Sequence, residues 1–148
     1  MRNYSVVIVH RGHILYPVNC YVLRIKMARI LVVDDEPEIC DILHEFLTDK
    51  GYEVTTASNG KEAISKVKEE RPHLILLDIR MPEVSGLEVL RKIRSVDREV
   101  GIIMVTALID EELAKEALRA GAFDYITKPF DLGHLERIVA VRIAMLTI

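Results

Sequence analysis

The sequence predicts an α/β fold in which an open, doubly wound sheet of five parallel strands is covered by five helices. Three observations predict it. From Arg29 onward, short apolar runs alternate with longer amphipathic stretches, giving five βα units in the 122 residues from Met27 to Ile148. The apolar runs are continuous instead of alternating, which marks strands buried on both faces. Parallel strands then need helical crossovers, whose fixed right hand places helices on both sides of the sheet.

Each element follows in order. Ile30–Val33 reads as the first strand, and Pro37–Lys50 as a helix with Pro37 in its first turn and Ile39, Ile42, Leu43, Phe46 and Leu47 at helical spacing. Gly51 ends that helix. Tyr52–Ala57 is the second strand; Asn59 caps a helix over Lys61–Glu70, which Arg71-Pro72 stops. His73–Asp78 is the third and most apolar strand. A loop with Met81-Pro82 and Gly86 leads to a helix over Leu87–Ser95, a strand over Gly101–Thr106 and a helix over Glu111–Ala120. Gly121, a strand over Phe123–Thr127, Lys128-Pro129 and a last helix from about Asp131 to Met145 complete the chain.

In such sheets ligand chemistry gathers beyond the carboxyl ends of the strands, where the winding reverses. The first strand ends in Asp34-Asp35-Glu36, the third in Asp78, the fourth in Thr106 and the fifth in Lys128-Pro129. Three ionised carboxylates within ~4–5 Å would repel one another by several kcal/mol at an effective dielectric of ~20. A cation must therefore be present. Lys128 is one, and a divalent ion held by hard oxygen ligands is another. With no sulfur or imidazole on the rim, magnesium or manganese is favoured over zinc or copper. A metal, a lysine and a hydroxyl around one carboxylate suit attack of Asp78 on a phosphoryl group. Helix capping could account for one acid after the first strand, but hardly for three.

These residues resemble the receiver domain of two-component response regulators: Asp34-Asp35, Asp78 with Ile79-Arg80-Met81-Pro82 and Gly86, Thr106-Ala107, and Lys128-Pro129-Phe130, over essentially all of residues 28–146. The resemblance implies a flavodoxin-like fold with strand order 2-1-3-4-5. It implies that Asp78 is the phosphorylated residue, and that Asp35, Asp78 and the backbone carbonyl of Arg80 ligate Mg2+, with Asp34 acting mainly through bound water. Thr106 would hydrogen-bond the phosphoryl group, Lys128 would pair with it, and the Lys128-Pro129 bond would be cis. The chain would be a phosphoacceptor that assists its own phosphorylation and dephosphorylation, not a turnover enzyme. Its partners would be a sensor histidine kinase or phosphotransfer protein, a downstream protein target, and, as one option, a second copy.

The same positions imply a switch. A phosphoryl group adds about −1.5 to −2 charges and new acceptors beside Thr106 and Lys128. Thr106 would move toward it, and Tyr125 would rotate into the vacated space, changing the surface of the fourth helix, fifth strand and fifth helix. Moving a state from ~1% to ~99% populated takes ~5.5 kcal/mol, so partial population before phosphorylation is expected.

Charge and composition narrow the alternatives. The net charge of −3 conceals +4 over residues 1–26 and −7 over the remainder, which argues against nucleic acid or a membrane as a direct partner. No apolar run reaches ~18 residues. Two cysteines, Cys20 and Cys40, fit a reducing cytoplasmic setting with both thiols as packing residues. Residues 1–26 form an N-terminal extension with room for one or two short strands around Arg11-Gly12 and Pro17. It is either an upstream addition to a domain starting at Met27, or an arm that pairs with the domain or a second copy. His10 and His13 lack a third ligand, and His44, His73 and His134 are read as ordinary surface or strand-start positions.

Three features depart from the family's usual pattern or from a solvated helix end: Arg80 two residues after Asp78, Val100-Gly101 where proline is common, and the apolar run Ile143–Ile148. That run suggests contact with another chain or with the extension. Gly133 softens the first turn of the last helix at a cost of ~1 kcal/mol. The main alternative function is a Mg2+-dependent phosphohydrolase with an aspartyl nucleophile; such enzymes place a second acid where Arg80 stands. A flavin carrier is disfavoured by the acidic first loop, and a degenerate receiver by the intact rim.

Overall fold

The computed structural model describes residues 5–10, 13–19, 28–107 and 111–146, with side chains from Ala28 onward. In the extension, β1 (Ser5–His10) and β2 (His13–Asn19) pair antiparallel as a separate two-stranded sheet, with a register irregularity between Val7 and Val9. This agrees with short strands there; Cys20 and Met27 lie outside the described residues.

The main sheet contains β3 (Arg29–Val33), β4 (Glu53–Ala57), β5 (Leu74–Leu77), β6 (Gly101–Thr106) and β7 (Asp124–Thr127) in the order β4-β3-β5-β6-β7. All neighbouring pairs are parallel. This is the expected 2-1-3-4-5 order. Winding runs from β3 outward to β4, then reverses to β5, so the switch point lies between β3 and β5. The residues following those two strands are Asp34 and Asp78.

Helices α1 (Pro37–Asp49) and α5 (Leu132–Met145) cover one face; α2 (Gly60–Glu70), α3 (Gly86–Val96) and α4 (Glu111–Arg119) cover the other. Strand side chains alternate between the two cores: Ile30, Val32, Leu74, Leu76, Ile103 and Val105 meet Leu43, Leu47, Leu135 and Val139, whereas Leu31, Val33, Ile75, Leu77, Ile102 and Met104 meet Ala63, Val67, Leu90 and Ile93. Burial on both faces is why these strands read as unbroken apolar runs. Among the described residues no helix is long and apolar enough to cross a membrane.

Several ends differ from the sequence reading by one residue. Asn59 accepts from the Glu62 amide, and Asp131 accepts from the His134 amide, so Asp131 precedes α5 instead of opening it. Arg71, at φ 47°, terminates α2 in the left-handed conformation usually left to glycine. Gly101 has a packing reason: a Cβ there would lie 2.9 Å from Leu74 Cδ1. In the apolar tail Ile143 is core and Met145 is exposed, while Thr147 and Ile148 lie outside the described residues.

Candidate functional site

The parallel ladder carries each site residue to the rim. The Asp34 amide donates to Ala57 O at 3.1 Å, and the Asp78 amide to Val33 O at 3.0 Å, so both aspartates extend the sheet hydrogen bonding by one step. Their side chains then turn back on the following loops. Asp34 Oδ1 accepts from the Glu36 amide at 2.9 Å, and Asp78 Oδ1 accepts from the Arg80 amide at 3.0 Å. The Lys128 amide donates to Thr106 O at 2.8 Å, tying the ends of β6 and β7 together, and the Lys128-Pro129 bond is cis as expected.

Lys128 unites the acids. Its Nζ lies 2.6 Å from Asp34 Oδ2, 3.2 Å from Asp78 Oδ2 and 3.3 Å from Glu36 Oε1. Asp34 and Asp78 are buried, the lysine side chain nearly so, and Glu36 is exposed. Burial alone would push the lysine's affinity for its proton down. The hydrogen bond to Asp34 and the charges of Asp78 and Asp34 more than reverse that and hold the ammonium well above its usual range. Asp34 moves up from the usual carboxylate value, because burial and the repulsion of Asp78 outweigh its bonds to Lys128 and the Glu36 amide. The asymmetry is physical: the lysine faces three acids, whereas Asp34 faces one cation and a like charge.

The four acids Asp34, Asp35, Glu36 and Asp78 each offer an oxygen, and these oxygens lie within 4.8 Å of one another. Hard oxygen donors around an open, partly solvated position fit a small divalent ion that retains several waters. Asp35 is exposed, as a residue reaching a hydrated ion would be, and so is the Arg80 side chain. Thr106 is fully buried. Leu77 is opposite Met104, so Asp78 and Thr106 project from neighbouring strands at the same rim. Met104 is opposite Tyr125, and alternation puts Thr106 and Tyr125 on the same sheet face, where Tyr125 packs half-buried against the core under α2, α3 and α4.

Three contributions escaped the sequence reading. Glu36 forms no side-chain cap on α1; its carboxylate reaches Lys128 instead. Gly86 has a steric reason: its amide donates to Ile79 O at 2.8 Å, and any Cβ would overlap the backbone of Asp78 and Ile79. Cys40 does more than pack, since its thiol donates to Asp34 O at 3.3 Å, and burial raises its pKa and keeps it protonated. The first contact depends on a residue 92 positions away, which no local pattern reveals. His73 also has a partner: its Nδ1 accepts from the Arg29 amide at 2.9 Å.

The model of the response regulator receiver domain matches residues 30–140. The Thermotoga maritima chemotaxis protein CheY is 40% identical over 103 residues, covering 69% of this chain and 86% of that one. The Escherichia coli regulatory protein AtoC is 43% identical over 111 residues, covering 75% of this chain but 24% of AtoC, so this chain corresponds to about a quarter of that relative. Among solved structures, a CheY-like response regulator receiver domain protein from Methanospirillum hungatei superposes with a TM-score of 0.77 at 34% identity, covering 79% of this chain and 94% of that one.

Proposed function

From the premise that this chain belongs to the response regulator receiver domain family, whose work is phosphorelay signalling, we propose that Asp78 is its phosphoacceptor and that Thr106 and Tyr125 report the phosphorylation to a protein-binding surface. The observation that carries this reading is the contact of Lys128 with both buried aspartates at the switch point of the sheet.

The chemistry follows from the residues. The Arg80 amide holds one oxygen of Asp78 and Lys128 faces the other, so the carboxylate is oriented before a donor arrives. An Asp78 oxygen attacks the phosphorus of a phosphohistidine on a sensor kinase or phosphotransfer protein. The P–N bond breaks, and the imidazole leaves with the electron pair and takes a proton from solvent. A magnesium ion held by Asp35, Asp78 and the Arg80 carbonyl, with Asp34 behind a water, would neutralise carboxylate charge and stabilise the phosphoryl oxygens. Lys128 supplies positive charge to the transferring group, and the Thr106 hydroxyl is a neutral donor for a phosphoryl oxygen. Arg80 stands where a hydrolase of this kind would need its second acid, which weighs against sustained turnover of phosphate esters.

The test is incubation with a small acyl phosphate, with and without magnesium, followed by intact mass. A magnesium-dependent gain of one phosphoryl group, abolished in Asp78→Asn, is expected. No gain in the unsubstituted protein overturns the assignment.

A further inference from the structure

At the end of the sheet opposite the acidic rim, a recess of about 710 Å³ opens between the loops entering β5 and β6 and the last turn of α5. Arg71, Arg98 and Arg142 line it, and among the described residues none of the three guanidinium groups has a carboxylate within ion-pair distance. Arg142 is the most constrained of the three: its guanidinium stacks 4.4 Å from the Phe123 ring centre, and its Nε is buried with no hydrogen-bond partner. A buried unpaired donor of this kind costs about 1–3 kcal/mol.

Nearby Arg94 shows the satisfied alternative, donating to the carbonyls of Asp97, Val100 and Gly121. Arg94 is also held below its ordinary value, first by burial and then by the charge of Arg142, with Asp97 acting against them. Two acids share the recess. Asp97 is engaged through Oδ1 by the amides of Glu99 and Val100, and Glu99 is exposed. Their charge disfavours an extended polyanion and leaves a compact anion favoured. Pro72, Met145 and Leu146 add an apolar wall beside the guanidinium groups, and the volume lies in the range of small-molecule sites.

We propose that this recess binds a phosphate-bearing organic molecule of mononucleotide size, its phosphate on Arg142, Arg98 and Arg71 and its apolar body against Met145, Leu146 and Pro72. Guanidinium groups suit phosphate because their fixed fork of donors matches its oxygens, and stacking on Phe123 already orients that of Arg142. The site is distinct from the phosphorylation rim.

The test is titration of the full chain with ADP in the presence of EDTA, by calorimetry and by the NMR signal of the Arg142 Nε–H. Saturable binding that moves that signal is expected. Arg98→Ser, at an exposed position, should weaken binding about tenfold, equal to ~1.4 kcal/mol. Arg142→Met, which keeps the stem over Phe123, should weaken it at least as much. Pyrophosphate should bind at least about tenfold more weakly than ADP, because it lacks a body for the apolar wall. No saturable ADP binding, or affinity unchanged in Arg98→Ser, overturns the site; pyrophosphate binding as tightly as ADP overturns the organic ligand.

Discussion

Lys128 stands 2.6 Å from Asp34, closer than the 3.2 Å that separates it from Asp78. The lysine that would serve a phosphorylated Asp78 is thus held, before phosphorylation, chiefly by the neighbouring acid. Glu36 completes the cage from solvent, but its exposure makes that contact weak. The buried pair is the part with energetic consequence.

Asp34→Asn should therefore stabilise the metal-free protein near neutral pH. The folded pKa of Asp34 is raised, first by burial, so its stabilising share is present below the unfolded value and is lost as pH rises through the folded one. At pH 7 its ionised form is a cost that asparagine removes. A higher urea midpoint in EDTA is expected. A saturating divalent ion at 100 times its dissociation constant adds ~2.7 kcal/mol to the unsubstituted protein, and the variant should gain less. A lower midpoint in EDTA would mean that the ion pair outweighs the burial.

Gly86→Ala should cost roughly 2–3 kcal/mol, because the added Cβ meets backbone of Asp78 and Ile79, which cannot rotate away. Gly60→Ala is the contrast: its Cβ would meet Val89 Cγ2, the end of a side chain that can shift. Urea midpoints of the two variants should differ in that order. In Gly86→Ala the displaced Asp78 should also accept a phosphoryl group more slowly, read by intact mass over time.

Asp34 and Gly86 also mark how far the sequence could be read. Asp34, Asp78 and Lys128 were legible because a strand end fixes where a residue goes, and five strand ends in a known winding converge on one rim. Asn59 as a cap and Gly51 as a stop were legible for the same local reason. The steric role of Gly86 was not, because close approach of two backbone segments leaves no periodicity. The reach of Glu36 to Lys128 was hidden behind an ordinary pattern of acids at a helix start. Arg71 in the left-handed region shows the limit in another way: a stop at Arg71-Pro72 was readable, but not which residue would adopt the conformation.

Acidification should destabilise the protein through His73. Its pKa is lowered from 6.5, first by burial and then by Arg29, and its Nδ1 accepts the Arg29 amide, a role that protonation ends. For a histidine depressed in the folded state, stability is fully present above the unfolded value and is lost as pH falls below about 6.5. His73→Asn keeps a short acceptor but does not titrate. Thermal midpoints measured from pH 7.5 down to 5 should fall less steeply in the variant; parallel curves would exclude His73 as the cause.

Thr106→Val should uncouple phosphorylation from its readout. Thr106 is fully buried and shares a sheet face with Tyr125, diagonal to it across the β6–β7 pair. Valine keeps the volume and removes the hydroxyl, a change that should cost about 1–2 kcal/mol at this buried position. Lys128 and Asp78 are untouched by the change, so a phosphoryl group should still be accepted, more slowly. Without the hydroxyl no group is drawn toward the phosphate on that face, and the Tyr125 ring keeps its packing against the core. In NMR spectra recorded before and after phosphorylation, the Tyr125 ring signals should move in the unsubstituted protein and stay in place in Thr106→Val. Movement of equal size in both would show that the coupling bypasses Thr106.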